Sequence, residues 1–202
     1  MKRISNNIFI TELSKLSGNC DDLVTEIPHD VAGVYAFFKH YQFPSSGTNS
    51  PQEAVDYLIS QIEQPHMLTR NAHVSPLFRV SISSERSLSK NKTKNLGKAI
   101  SKSSQRGVFE EVFQNSFLFQ TPLYVGKSIN IRRRIVEHLN GDTNLKSDLF
   151  EAGIEIKSCS IMFIITDENP SFENITEISN EAELIEDCLS RLFCPGFTRR
   201  YG

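Results

Sequence analysis

Three groups of residues, far apart in the chain, carry side chains suited to holding a phosphate and a metal ion. The densest is Tyr124-Val125-Gly126-Lys127, followed by Asn130-Ile131-Arg132-Arg133-Arg134-Ile135-Val136-Glu137-His138. An apolar strand reads into a glycine turn and then into a helix that carries three arginines and a histidine. Cations crowded at a strand-to-helix turn suit a phosphate, which takes bidentate guanidinium contacts and helix N-terminal amides. Arg134 and His138 stand at i, i+4 and can address one ligand, and Ser128 or Asn130 can cap the helix. Alone, this stretch predicts anion binding. The other two groups are Gly33-Val34-Tyr35 upstream and Glu181-Ala182-Glu183-Leu184-Ile185-Glu186 downstream.

The elements that must position these groups can be read from periodicity. Ala32–Phe38 is a compact, aromatic-rich apolar run, the pattern of a buried strand. Pro122–Gly126 and Ser160–Thr166 are expected as two further strands, with Phe78–Ile82 as a short extra one. Ala54, Leu58 and Ile62 recur at helical spacing behind Pro51, so a helix is expected over Pro51–Glu63. Ile131, Ile135 and Leu139 form one stripe of the arginine-bearing helix. Leu145–Ala152 reads as a helix stopped at Gly153, and Asn180–Phe193 as the last helix, with Ile185, Leu189 and Leu192 inward. A short helix is expected near Phe9–Leu16. Phe109, Val112, Phe113 and Phe117 make a helical apolar stripe within Val108–Phe119 that is expected to pack into the core. From Ser83 to Gln105 the chain is dominated by Ser, Lys, Arg and Asn. This segment reads either as a solvated loop or as a basic arm that orders on DNA.

The 202 residues suffice for one domain with a real core, or for a small domain with a large insertion. No apolar run approaches the roughly 20 residues that span a bilayer, and no signal peptide is expected, so a cytoplasmic setting is. Cys20, Cys159, Cys188 and Cys194 include no C-x-x-C pair, and buried thiols are expected rather than a metal site. The net charge of −2 hides a strong asymmetry. From Arg86 to Arg134 there are eleven Lys or Arg against Glu110 and Glu111; from Asp148 to Asp187 there are eleven acids against Lys157. A nucleic-acid protein needs a basic face rather than a basic total.

In this order and spacing the pieces resemble the GIY-YIG nuclease superfamily. Gly33-Val34-Tyr35 stands for GIY and Tyr124-Val125-Gly126 for YIG. Arg134 falls ten residues after Tyr124, where the family carries its helix arginine, and His138 four further on. Glu186 precedes Pro195 by nine residues, the separation of the family's metal-ligand glutamate and its proline. The similarity covers residues 31–39 and 120–202. There are two departures: Tyr35 and Tyr124 lie 89 residues apart, where the family usually has about ten between its strands, and Thr198 stands where an asparagine is usual. A long insertion is tolerable because loop-closure cost rises only logarithmically.

The resemblance implies an α+β fold: a small, three-stranded, mainly antiparallel sheet flanked by helices, with a long insertion between its first two strands. Residues 1–30 would be an N-terminal segment, 31–39 and 120–202 the catalytic core, and 40–119 the insertion. It implies a metal-dependent endodeoxyribonuclease using one Mg²⁺ or Mn²⁺ held by Glu186. Tyr35 would orient or deprotonate the attacking water, helped by a cation such as Lys127. Tyr124 would position the nucleophile or phosphate, Arg134 would clamp phosphate oxygens, and His138 would contact phosphate or relay a proton. Arg86, Lys90, Lys92, Lys94, Lys98, Lys102, Arg132 and Arg133 are candidate DNA contacts, the last two solvent-facing. Glu181 and Glu183 read as plain exposed acids, and His29, His40, His66 and His73 receive no role. GVYAFF, YVGK and RIVEH look most like the restriction endonucleases of the superfamily, which implies sequence-specific cleavage of double-stranded DNA by a homodimer. A structure-selective repair or mobile-element nuclease, and a non-catalytic DNA-binding module, are the alternatives.

Overall fold

Runs rich in β-branched and aromatic residues become strands, and amphipathic runs become helices that cover them. The computed structural model describes residues 2–13, 27–41, 43, 50–63, 71–75, 78–81, 88–167, 175–193 and 195–197. In chain order the elements are β1 (Lys2–Arg3), β2 (Ile8–Glu12), β3 (Ala32–Lys39), α1 (Pro51–Glu63), β4 (Asn71–Ser75), β5 (Phe78–Ser81), α2 (Lys90–Ile100), α3 (Ser103–Gln114), β6 (Tyr124–Ser128), α4 (Ile131–Asn140), α5 (Leu145–Glu151), β7 (Cys159–Asp167) and α6 (Ile175–Phe193). The chain divides into two compact units, Met1–His40 with Phe117–Gly202, and Tyr41–Ser116. No helix among the described residues is long and apolar enough to cross a membrane.

The larger unit is an α+β arrangement built on a wholly antiparallel sheet in the order β1-β2-β7-β3-β6. β3, β6 and β7 are adjacent, with β3 between the other two, but the sheet has five strands rather than the expected three. The additional strands come from the N-terminal segment. Residues 9–12 belong to strand β2 and not to the expected helix; Ile8, Ile10 and Thr11 are β-branched and suit a pleated surface. β2 pairs along the free side of β7, where Phe9 stacks on Phe163 with ring centroids 5.4 Å apart.

β3 is apolar on both faces because both are covered. On one face Tyr35 and Phe37 join Ile131 and Ile135 of α4, Leu145 and Leu149 of α5, and Ile161 and Phe163 of β7. On the other, Val34 and Val125 pack against Ala182 of α6, with Ile185 and Leu189 alongside. α6 begins at Ile175, five residues before the expected Asn180. α4 starts on a built cap: the Asn130 side chain accepts from the Arg133 amide at 2.9 Å. It ends at Gly141, whose φ of 92° is a left-handed cap that favours glycine.

The smaller unit contains α1, α2, α3 and the β4–β5 hairpin. Its core is Phe43, Ala54, Val55, Leu58 and Ile100, with Leu96, Phe109 and Phe113 packed against them. Two expectations change here. The basic segment is not all loop, since Lys90–Ile100 and residues from Ser103 onward are helical. The stripe over Val108–Phe119 is also broken: α3 stops at Gln114, a 3₁₀ turn follows over Ser116–Phe119, and Val112 is half exposed.

Two glycines are fixed by close approach. A Cβ on Gly33 would lie 2.0 Å from the Ile164 carbonyl oxygen, in the backbone of the neighbouring strand. A Cβ on Gly126 would lie 2.7 Å from both the Tyr35 hydroxyl and Tyr124 Cε1. Gly33→Ala is therefore expected to cost about 3 kcal/mol or more, since strand backbone must move. Gly126→Ala should cost less and shift the Tyr35 ring. Urea unfolding of both variants checks the order.

Candidate active site

Strand register brings the two tyrosines together. Tyr35 pairs with Gly126, and Phe37 with Tyr124. Tyr35 and Tyr124 thus lie diagonally on the face that α4 covers, 6.0 Å apart between ring centroids. Because residue 126 has no side chain, the Tyr35 ring can lie over the edge strand. His138, one helical turn after Arg134, closes the group: its ring lies 5.3 Å from Tyr124 and 5.7 Å from both Tyr35 and Phe37.

The polar contacts in this cage are few and directed. The Tyr35 hydroxyl lies 2.7 Å from His138 Nε2, and His138 Nδ1 lies 2.6 Å from Thr143 Oγ1. Tyr35 and His138 are each 1 % exposed. Burial, with Arg134 adding to it, lowers the His138 pKa to about 4, so the imidazole is neutral at neutral pH. Burial also pushes the Tyr35 phenol well above its usual value; Tyr124 adds to the rise and Arg134 opposes it. A neutral phenol facing a neutral imidazole fits two tautomers, because the Tyr35 and Thr143 hydroxyls can each donate or accept. In one, Tyr35 O–H donates to Nε2 and Nδ1–H donates to Thr143; in the other, Thr143 O–H donates to Nδ1 and Nε2–H donates to Tyr35.

Arg134 is held by Glu137 at 2.8 Å, one turn along the same helix, and Arg133 approaches the same carboxylate at 3.5 Å. The bond to Glu137 raises the Arg134 pKa, and the two phenols add to it. Across the edge strand, Lys127 is ion-paired with Glu183 of α6. Glu186, one turn further on, is half-buried and makes no hydrogen bond or ion pair among the described residues. Burial raises its pKa, Lys127 opposes the rise, and Glu183 and Asp187 add to it. The Glu186 charge also raises the pKa of Tyr124, which is set first by burial. Lys127, Ser128, Ile129, Arg133, Arg134, Glu137 and Ala182 line an open cleft of about 250 Å³ at the end of β6. α4 walls it on one side and α6 on the other.

The structure thus brings Tyr35, Tyr124, Arg134 and His138 together and sets Lys127 and Glu186 around the rim of the same strand. Three expectations shift. The cation beside the phenols is Arg134, because strand alternation turns Lys127 to the opposite face, toward α6. Arg132 is not solvent-facing: it is 8 % exposed, and its Nε and Nη1 have no hydrogen-bond partner. Glu183 is exposed but engaged by Lys127. Arg133 is exposed at the cleft, as expected of a solvent-facing residue. Lys90, Lys92, Lys94, Lys98 and Lys102 belong to the other unit, and Arg86 and Thr198 lie outside the described residues. Of the cysteines, Cys159 is buried and Cys188 exposed. Sequence reading missed Glu137 and Thr143. An acid at i+3 from Arg134 was visible as a possible clamp, whereas nothing in the spacing marks Thr143.

Among the described residues no group of three or more His, Cys, Asp and Glu forms a cage for a metal. Glu186 still suits a hard cation. It is an unsatisfied carboxylate beside a cleft, and Mg²⁺ commonly binds through one or two carboxylates, waters and substrate phosphate. Family models, curated proteins and solved structures were all compared with this chain, and none matches.

Two stability measurements follow. The unfolded His138 takes its proton below about pH 6.5, while the folded one resists until about pH 4. Its contribution is therefore fully present above pH 6.5 and is lost as pH falls through that interval. Thermal melts from pH 8 to 4 should show a decline that His138→Gln flattens. Glu186 has the opposite sign: its raised pKa means the folded state disfavours the ionised carboxylate at neutral pH. Without divalent metal, Glu186→Gln is expected to melt higher than wild type at pH 7 and at the same temperature near pH 4.

Proposed function

We propose that this protein is a metal-dependent endonuclease of the GIY-YIG type, cutting double-stranded DNA at specific sequences in the manner of a restriction enzyme. The observation that supports it is the convergence of Tyr35, Tyr124, Arg134 and His138 on one side of an edge strand, with Glu186 at its rim. In this reading β6, β3 and β7 are the family's core strands, and the work is done in the cytoplasm. A homodimer would supply one site per strand of a two-fold symmetric sequence.

The chemistry follows from the protonation states. In this reading His138 carries its proton on Nδ1 and takes the Tyr35 O–H at Nε2, and the attacking water must enter from the neighbouring cleft to reach the buried Tyr35 oxygen. The phenol is too weak an acid in this burial to stand as a free phenolate, so it orients the water first. As the water oxygen bonds to phosphorus, its proton passes to the Tyr35 oxygen while the phenol proton moves to Nε2. The bond from phosphorus to the 3′-oxygen breaks, and solvent protonates the leaving oxygen, giving a 5′-phosphate and a 3′-hydroxyl. Arg134, kept extended by Glu137, takes the non-bridging phosphate oxygens. Lys127 and Arg133 add positive charge along the cleft. Glu186 would hold Mg²⁺ or Mn²⁺, which when bound neutralises phosphate charge and stabilises the leaving oxygen.

The test is plasmid cleavage in Mg²⁺ or Mn²⁺. Wild type is expected to give discrete fragments, and Glu186→Ala, Arg134→Ala and Tyr35→Phe to lose at least about 100-fold in rate, the range of one lost electrostatic or proton-transfer group. Thr143→Ala should retain more activity than His138→Ala. A smear, or cutting confined to flaps and nicks, would replace sequence-specific cleavage with structure-selective cleavage. Equal cutting by Glu186→Ala would remove the metal assignment.

A further inference from the structure

Helix α2 in the smaller unit has two unlike faces. Its inward face is Ile100, with Thr93, Leu96 and Gly97 partly covered. Gly97 lies on α1, where a Cβ would sit 3.7 Å from Val55 Cγ2, so the two helices pack closely. The outward face carries Asn91, Lys94, Asn95 and Lys98, all exposed and within an arc of about 100°. Lys90 and Lys92 flank this arc, and Lys102 follows in the turn before α3. From Leu88 to Phe109 the chain holds Lys90, Lys92, Lys94, Lys98, Lys102 and Arg106 and no acid at all. The helix is capped at both ends: Ser89 accepts from the Lys92 amide, and the Ser101 hydroxyl donates to the Gly97 carbonyl at 2.8 Å.

We infer that α2 is the element that reads DNA, lying in the major groove with Asn91 and Asn95 on base edges and Lys94, Lys98 and Lys102 on phosphates. DNA as the partner rests on the nuclease reading; the assignment of these residues rests on the helix itself. The major groove admits an α-helix, and asparagine is the side chain that pairs bidentately with adenine. Lys94 and Lys98, one turn apart, are spaced about 6 Å along the axis on one side of the asparagine ridge, and Lys92 stands on the other, where groove walls would meet them. A membrane surface is the weaker occupant, because an interfacial helix needs an exposed apolar face. Here the apolar face is used by the unit's own core. Duplex RNA is also weaker, since its deep, narrow major groove excludes a helix.

The experiment uses the full chain in EDTA, with a labelled random-sequence DNA duplex followed by fluorescence anisotropy over a NaCl series. Lys94→Gln/Lys98→Gln/Lys102→Gln should weaken binding at least about tenfold and flatten the logarithmic salt slope by about 2.7, at 0.9 per phosphate contact. Asn91→Ala/Asn95→Ala should keep the slope. It should, however, lose the preferred motif that wild type selects from a randomised duplex pool, a loss of about tenfold in specific affinity. Far-ultraviolet circular dichroism of each variant, matched to wild type, shows that the unit is folded. Wild-type affinity and slope in the lysine variant overturn the assignment, as does equal lysine-dependent binding of duplex RNA or wild type that binds no DNA. A protein that cuts DNA while its lysine variant binds normally loses this inference and keeps the nuclease reading. One that binds through α2 yet never cuts loses the nuclease reading alone.

Discussion

The hydrogen bond between the Tyr35 hydroxyl and His138 Nε2, made over a residue with no side chain, is the interaction on which the rest of the site depends. It joins residues 103 apart in sequence and is fully buried. Each partner is neutral because the other elements exclude water: phenol and imidazole both move away from their charged forms. Thr143 completes the chain at Nδ1, 2.6 Å away. Gly126 is needed because the Tyr35 ring occupies the space where a Cβ would go. Phe37 and Tyr124 surround the pair, which holds both rings in place and keeps the local dielectric low.

Around this pair the sheet edge sorts charge. β6 is the terminal strand, so helices on both faces of the sheet can reach its rim. α4 brings Arg134 and Glu137 from one side, and α6 brings Glu183 and Glu186 from the other. Alternation along β6 sends Tyr124 toward α4 and Lys127 toward α6. Cations from β6 and α4 therefore meet at one cleft without all being neighbours in the chain, and the unsatisfied Glu186 feels the charge of Lys127 at its edge. Burial disfavours Glu186 as an anion, which is compatible with the metal role proposed for it.

Periodicity carried much of this into view. β3, β6, β7, α1 and α4 follow from apolar runs and caps, and the α+β class follows from them. That Arg134 and His138 can address one ligand was legible from their i, i+4 spacing on α4, whereas their grouping with Tyr35 came only from the resemblance. What escaped were features set by tertiary contact. Residues 9–12 are apolar enough to suit a helix, and only the free side of β7 makes them a strand. Arg132 looks like its neighbour Arg133, but helix phase turns it inward and leaves two guanidinium nitrogens without partners. Lys127 has the chemistry to assist a phenol, yet the two-residue period of β6 aims it at Glu183. Composition read residues 83–105 as low in hydrophobics; the sparse Leu96 and Ile100, four apart, are enough to anchor a helix.

The central claim is that His138 is a neutral acceptor for the Tyr35 proton. Nitrogen-15 NMR of histidine-labelled protein tests it directly, with His138→Gln assigning the resonance. The account predicts a neutral ring protonated on Nδ1, with Nε2 in the acceptor range and no titration until the pH falls to about 4. A ring protonated on Nε2, or one that titrates near its ordinary value of about 6.5, would contradict it.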